Sequence, residues 1–157
     1  MASMPVVDVM SIRTITVSPR ETARVAILRM LEENVGAVAV CDGPRLVGIF
    51  TERDVLRLAG EGADLDSVMV EDVMTRSVVS ISPDDGIIAA AELMGERKIR
   101  HVPVVQDGNL LGMIGIRDVL GTLVEQLWRT HDEAAHETAR ELLKGGGPRT
   151  GEPMAPP

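Results

Sequence analysis

The sequence has almost no aromatic side chains. Phe50 and Trp128 are the only two in 157 residues, and tyrosine is absent. Proteins that bind nucleic-acid polymers stack bases on aromatic rings and neutralise phosphates with clustered lysine and arginine. Here 24 acidic residues outnumber 16 basic ones and give a net charge of −8. The composition argues against a nucleic-acid polymer as partner and leaves a small anionic ligand open.

Cysteine and long apolar stretches are equally scarce. Cys41 is the single cysteine, so no internal disulfide forms, and its apolar run 38–41 predicts an inert thiol in a buried strand. No 18 apolar residues run together and the N-terminus lacks a basic segment, so we expect neither a membrane span nor export, and predict a cytoplasmic protein. His131 and His136 are spaced poorly for a shared metal, and no metal site is predicted.

What the sequence does contain is an internal repeat. At a fixed offset of 64 residues, positions 6–58 align with 70–122 without a gap, and 17 of the 53 pairs are identical. Self-similarity at one offset indicates a duplicated structural unit. The identical pairs include Asp8–Met10 with Asp72–Met74, Ser18-Pro19 with Ser82-Pro83, Gly48 with Gly112, and Arg53–Leu56 with Arg117–Leu120.

Each repeat opens with a predicted strand and helix. The β-prone segments 14–17 and 78–81 both end at Ser-Pro. In the first repeat Ser18 is predicted to cap a helix, with Pro19 at its first position and Glu21 completing a capping box. Apolar residues at spacings of three and four follow in both repeats and predict amphipathic helices. In the first repeat these residues are Ala23, Ala26, Ile27, Met30 and Leu31.

A predicted hairpin and a second helix complete each repeat. Apolar runs at 37–41 and 46–50, and again at 102–105 and 110–114, flank short turn segments. The second helix is predicted from Thr51 and from about position 115. Each unit of about 50 residues is too small to bury enough surface alone, so two must pack together. The predicted fold class is α/β (α+β), with tandem strand-helix-strand-strand-helix repeats.

Two closing motifs identify a family. Gly48–Asp54 is G-I-F-T-E-R-D and Gly112–Asp118 is G-M-I-G-I-R-D, with R-H-V-P-V before the second. Together with the order of elements, this resembles the cystathionine-β-synthase (CBS) domain pair, or Bateman module, over about residues 5–125. The resemblance implies a pseudo-two-fold pair that binds adenosine-containing ligands between its repeats and commonly dimerises into a flat disc. The repeat offset predicts domains at 1–62 and 68–128, and helical spacing followed by a Gly/Pro-rich end predicts a C-terminal helix extension and disordered tail at 129–157.

Thr51 and Asp54 have two interpretations. Thr-x-x-Asp between a strand and a helix can be a capping box. An aspartate in the first helical turn can also accept hydrogen bonds from both ribose hydroxyls, while exposed N–H groups favour phosphate. Asp118 recurs at the same place although Gly115 replaces the threonine. Capping alone does not explain the repeated acid, and the family resemblance implies a ligand there, so we expect ligand contact.

The resemblance implies two clefts with unequal residues. In similar CBS pairs, basic residues before the second hairpin reach the phosphates of a nucleotide whose ribose lies on the other repeat's aspartate. The favoured cleft combines Ile49, Phe50, Thr51 and Asp54 with Val79, Arg100, His101 and Arg117. Its mate combines Met113, Gly115 and Asp118 with Ile15, Gly36, Ala37 and Arg53, and lacks the hydroxyl and the Arg-His pair.

The predicted function is regulatory and not enzymatic. No Walker loop, G-x-S-x-G, H-E-x-x-H or Cys/His nucleophile pair is present. We expect a stand-alone module that senses AMP, ADP or ATP as a regulatory ligand, requires no cofactor, and signals to an unknown regulated protein by conformational change. The alternatives are a sensor of NAD(H) or S-adenosylmethionine and a structural dimerisation module with empty clefts. A homodimer is expected through apolar residues of the second helices: Val55, Leu56, Leu58, Val119, Leu120 and Leu123.

Overall fold

The computed structural model describes residues 3–130 and 140. A first compact unit ends at Val119 and a second begins at Leu120. A short 3-10 helix at Val6–Asp8 comes first. The helices are α1 (Ala23–Glu33), α2 (Glu52–Gly60), α3 (Val70–Val73), α4 (Ile87–Arg97) and α5 (Ile116–Thr130). The strands are β1 (Thr16–Val17), β2 (Ala37–Asp42), β3 (Arg45–Thr51), β4 (His101–Gln106) and β5 (Asn109–Gly115).

The strands form one mixed sheet in the order β1-β2-β3-β5-β4. The two predicted hairpins are present as the antiparallel pairs β2-β3 and β4-β5. Their two-residue turns use residues that tolerate a positive φ, which is 60° at Gly43 and 54° and 81° at Asp107 and Gly108. The hairpins pair with each other only where Arg45 faces Asn109, so each repeat keeps its own half of the sheet.

The opening strands are shorter than predicted. In the first repeat, Ala39 of β2 donates its N–H to the Ile15 carbonyl at 3.2 Å, next to the two residues of β1. The equivalent of Ala39 in the second repeat is Pro103, which has no N–H to donate. The predicted strand at 78–81 is therefore reduced to one isolated bridge between Ile81 and Val104.

The first helix of the first repeat begins later than predicted. Ser18 and Glu21 form a turn, in which the Ser18 N–H donates to Glu21 Oε2 at 3.3 Å and the Glu21 N–H donates to the Ser18 carbonyl at 3.1 Å. The N-cap of α1 is Thr22, whose hydroxyl accepts from the Val25 N–H at 3.4 Å. The proposed Ser18 cap was wrong because its partners close the preceding turn.

The core is aliphatic around one aromatic ring. Phe50 is fully buried, and Ala23, Ala26 and Met30 of α1 are buried as their spacing predicted. Leu31 is not buried, since this residue is 71% exposed. The main buried cluster consists of Val17, Ala23, Ala26, Met30, Val38, Val40, Phe50, Leu58, Val70 and Met74.

The segments that open each repeat cross to the hairpin of the other repeat. Ser11 exchanges two backbone hydrogen bonds with Met113 of β5, at 2.8 and 2.9 Å. At the equivalent place Thr75 exchanges two with Ile49 of β3, both at 2.9 Å. The two repeats therefore share backbone pairing beside the closing motifs.

Among residues 3–130 and 140, no helix is long and apolar enough to span a membrane. The same residues contain no group of three or more His, Cys, Asp or Glu side chains suited to a metal. The predicted C-terminal helix extension and disordered tail at 129–157 lie outside the described residues, apart from Arg129, Thr130 and Arg140.

Candidate functional site

A cavity of about 380 Å³ lies between the two repeats. Its wall comes from the crossing segment before β1, the start of β2, β3, and both strands of the second hairpin. This volume is at the lower end of the range of about 300–1,000 Å³ found for small-molecule sites. The lining residues are Ser11, Arg13, Thr14, Ile15, Asn34, Val35, Gly36, Ala37, Val38, Ala39, Ile49, His101, Met113, Gly115 and Asp118.

Asp118 supplies a carboxylate to this cavity from the first turn of α5. Its side chain is exposed, and Oδ2 accepts a hydrogen bond from the Gly115 N–H at 3.2 Å. His101 pairs with Gly115 across the β4-β5 ladder. A Cβ on Gly115 would lie 3.4 Å from Asp118 Oδ2 and 3.2 Å from His101 Cδ2. The glycine leaves room for a carboxylate and an imidazole at the same end of the cavity.

The equivalent carboxylate in the first repeat, that of Asp54, is buried and takes part in a helix cap. It is 5% exposed and forms a full capping box with Thr51 at the start of α2. Asp54 Oδ2 accepts from the Thr51 N–H at 2.9 Å and from the Thr51 hydroxyl at 3.1 Å. Of the two interpretations of Thr51 and Asp54, the capping box is therefore present in the structure.

Arg57 gives the Asp54 carboxylate a further partner. Its Nη2 lies 3.3 Å from Asp54 Oδ1 and also donates to the Val73 carbonyl at 3.0 Å. The residue equivalent to Arg57 in the second repeat is Gly121, which has no side chain to do this. The sequences around the two repeated aspartates differ at two positions, where Thr51 is replaced by Gly115 and Arg57 by Gly121.

The structure brings together most of the mate cleft expected from the sequence. Ile15, Gly36, Ala37, Met113, Gly115 and Asp118 all line the cavity, joined by Ile49 and His101 from the other expected cleft. The remaining expected residues do not line it: Phe50, Thr51, Arg53, Asp54, Val79, Arg100 and Arg117.

Three of those residues have clear structural positions. Phe50 lies in the core, so only its backbone is available to a ligand. Arg100 and Arg117 have exposed side chains, and the Arg100 carbonyl accepts from the Ile116 N–H at 2.8 Å.

Sequence reasoning missed four polar residues of the cavity. Ser11, Arg13 and Thr14 arrive on the crossing segment, and Asn34 ends α1 in the left-handed conformation with φ of 52°. A usable signal was the repeated Asp-Val-Met before each crossing segment, which marks those segments as structural parts of both repeats.

A second cavity of about 560 Å³ forms an apolar groove between α1 and α2. Its wall includes Ile27, Leu31, Val55 and Leu56, and Leu56 is 75% exposed. The groove and the first cavity share the segment 34–36. Neither cavity is lined by Asp54.

The residues whose pKa values are clearly shifted line neither cavity. Burial raises the pKa of the Cys41 thiol, which keeps it protonated and unreactive. The Ser67 hydroxyl and the Asp66 N–H lower the pKa of Asp64, and a hydrogen bond with Asp66 raises that of Arg24. These surface groups connect α1 to the segment before α3.

A family model for the CBS domain matches residues 6–61 and again residues 70–125. The chain belongs to the CBS-domain family. Like other CBS-domain pairs, it carries two copies of the domain in tandem, and the closing motifs that carried the resemblance lie within the matched ranges.

Relatives of known sequence or structure agree with this assignment. CBS domain-containing protein YhcV of Bacillus subtilis is 36% identical over 113 residues, covering 71% of this chain and 80% of the relative. The chain spans 54% to 66% of the next three curated relatives. A CBS-domain containing protein from Agrobacterium tumefaciens is 33% identical with a TM-score of 0.66, over 76% of this chain and 98% of that one.

A third relative was solved with a ligand. This CBS domain protein from Pyrobaculum aerophilum, complexed with AMP, is 25% identical with a TM-score of 0.68, over 78% of this chain and 99% of that one.

Proposed function

We propose that this chain is a regulatory CBS-domain module that binds an adenine nucleotide in the cavity between its repeats. The observation that carries the proposal is the exposed Asp118 carboxylate at the first turn of a helix, inside a cavity that both repeats line. The AMP complex of the Pyrobaculum aerophilum relative supports the ligand class. No catalytic role is proposed.

The chemistry of the cavity suits a nucleoside. A carboxylate has about four lone-pair sites, and ribose offers two adjacent hydroxyl donors that suit an acidic side chain such as that of Asp118. Ile15, Ile49 and Met113 provide apolar surface for a base. A ligand held by both repeats favours the arrangement of repeats that binds it better, and a partner that recognises this arrangement is then regulated.

We place the nucleotide at Asp118 and not at Asp54, the cleft that the sequence favoured. The Asp54 carboxylate already accepts from Thr51 and Arg57, and ribose would have to displace those bonds from a buried site. Asp118 is exposed to the cavity in the present conformation.

Calorimetric titration with AMP tests the proposal. A charge-assisted hydrogen bond contributes about 1.5–3 kcal/mol, so Asp118→Asn is expected to weaken AMP binding by about 10- to 150-fold. Asp54→Asn is the matched control, which is expected to lower stability through the cap while AMP affinity stays within about threefold.

Four results would contradict this account in different ways. Loss of AMP binding only in Asp54→Asn would show that the nucleotide binds in the Asp54 cleft instead. Binding of NAD(H) or S-adenosylmethionine but not AMP would change the ligand class. No binding of any of these would favour a structural dimerisation module, and turnover of the nucleotide would make the chain an enzyme.

We also propose a homodimer, with the groove between α1 and α2 as the interface of the first unit. Leu31 and Leu56 are exposed on its two sides. Of the apolar residues expected at the interface, Leu58 and Val119 are buried in the core and are not available. Leu56 and Leu120 are exposed, and Val55 and Leu123 are half-buried.

A further inference from the structure

We propose that Arg13 binds the phosphate of the nucleotide in the Asp118 cavity, and that Glu33 competes with the phosphate for the Arg13 guanidinium. This inference rests on the proposed function and specifies how the cavity distinguishes a nucleotide from a nucleoside. It assigns a specificity-determining role to Arg13 and a positioning role to Glu33.

Arg13 lies on a segment that is anchored by backbone pairing, while its side chain is largely exposed. Two residues earlier, Ser11 makes both of its backbone hydrogen bonds with Met113, which fixes the crossing segment along β5. The Arg13 side chain is 85% exposed and contributes to the cavity wall. An anchored backbone with an exposed guanidinium can turn towards a phosphate without moving the segment.

Arg13 is the arginine among the residues that line the cavity. Among the lining residues, Arg13, His101 and Asp118 carry ionisable side chains. Asp118 is assigned to the ribose, and the guanidinium of Arg13 is charged at any physiological pH. A phosphate offers acceptors that match the planar donors of a guanidinium in bidentate geometry.

Glu33 holds the same guanidinium in the structure. It is the last residue of α1, and its Oε2 lies 3.7 Å from Arg13 Nη2. The next residue, Asn34, lines the cavity, so Glu33 directly precedes a residue of the cavity wall. Exposed ion pairs of this length contribute little stability, and a dianionic phosphate is a stronger partner than one carboxylate.

The arrangement is not repeated in the other half of the molecule. The residue equivalent to Arg13 in the second repeat is Ser77, and the residue equivalent to Glu33 is Arg97. A phosphate preference set by Arg13 therefore belongs to the Asp118 cavity alone.

Calorimetry with AMP and adenosine on the full chain tests this inference. Arg13→Gln is expected to weaken AMP binding by about 10- to 100-fold and adenosine binding by less than about threefold. Glu33→Gln is expected to strengthen AMP binding about two- to fivefold and leave adenosine unchanged. Arg20→Gln is the matched control, because Arg20 is an exposed arginine outside the cavity wall, and both ligands are expected to bind it as they bind the wild type.

The double variant distinguishes competition between Glu33 and the phosphate for Arg13 from a general electrostatic effect of the Glu33 charge on the ligand. If Glu33 acts through Arg13, Glu33→Gln gives no gain in AMP affinity in the Arg13→Gln background. The same gain in both backgrounds would overturn the positioning role. AMP affinity unchanged in Arg13→Gln, or reduced equally in Arg20→Gln, would overturn the phosphate contact while leaving the proposed function intact. Failure of wild type to bind either ligand would overturn both.

Discussion

At the scale of single residues, two repeated glycines explain how the crossing segments approach the hairpins. A Cβ on Gly112 would lie 2.6 Å from the Ser11 carbonyl oxygen and 2.9 Å from Met10 Sδ. A Cβ on Gly48 would collide with the side chain of Met74 and lie 3.0 Å from the Thr75 carbonyl oxygen. One steric requirement therefore explains both repeated pairs: Gly112 leaves room for Met10 and the crossing segment, and Gly48 leaves room for Met74 in the same way.

We expect Gly112→Ala to destabilise the protein by about 1–3 kcal/mol, because the new methyl group meets a backbone atom that cannot move without breaking the Ser11–Met113 pairing. The midpoint of urea unfolding measures this change.

Gly95→Ala is the control, since Gly95 is exposed on α4 and its Cβ would meet nothing within 4 Å. It is expected to stabilise the protein by about 0.5–1 kcal/mol, as alanine favours helix. Equal effects of the two substitutions would refute the steric explanation.

At the scale of elements, the two repeats cap each other's helices. The α4 N-cap is Gly86, which has no side chain, and the first free N–H groups of this helix are satisfied from the N-terminal segment. The Met4 carbonyl accepts from Ile87 at 2.9 Å and the Ser3 hydroxyl accepts from Ile88 at 3.3 Å. In the same way the Val68 carbonyl accepts from Ala23 of α1 at 2.8 Å.

Ser3→Ala is expected to lower stability by about 0.5–2 kcal/mol, the usual cost of losing a capping hydroxyl. Thermal unfolding followed by circular dichroism measures it. The control is Ser80→Ala, which removes an exposed hydroxyl before α4. A loss no larger in Ser3→Ala than in the control would show that this cap is not important.

These long-range caps also show what the sequence could not predict. The order of elements and both hairpins followed from local signals, namely apolar periodicity and turn residues such as Asp107-Gly108. The start of α1 did not, because its first N–H groups bond to residues more than 40 positions away. The reduction of the predicted strand at 78–81 to a single bridge was predictable in principle, since Pro103 occupies a position that needs an N–H.

At the scale of the whole molecule, contacts between residues far apart in the sequence also limited how much of the candidate site could be predicted. The repeat offset and the family resemblance grouped Asp118, Gly115 and Met113 with Ile15 and Gly36. Arg13 was missed because it reaches the cavity only through the pairing of Ser11 with the other repeat. The burial of Asp54 and its contact with Arg57 were missed as well, since Arg57 is held there by the distant Val73 carbonyl.

The proposed dimer gives a test at this scale. Wild-type protein at micromolar concentration is expected to scatter light with twice the chain mass of 16.9 kDa. Leu56→Asp places a charge in the groove between α1 and α2 and is expected to give monomers, whereas Leu56→Met keeps the apolar surface and the dimer. Monomeric wild type, or dimeric Leu56→Asp, would rule out this interface.

The central claim is that a nucleotide binds beside Asp118, and amide chemical shifts report on it most directly. The Gly115 N–H donates to Asp118 and the Thr51 N–H donates to Asp54, so these two amides are matched reporters of the two aspartates. Titration with AMP, followed by ¹H–¹⁵N NMR, is expected to shift the Gly115 and Gly36 signals in a saturable way and leave Thr51 in place. A saturable shift at Thr51 with Gly115 unchanged would contradict the account, as would no shift at either amide.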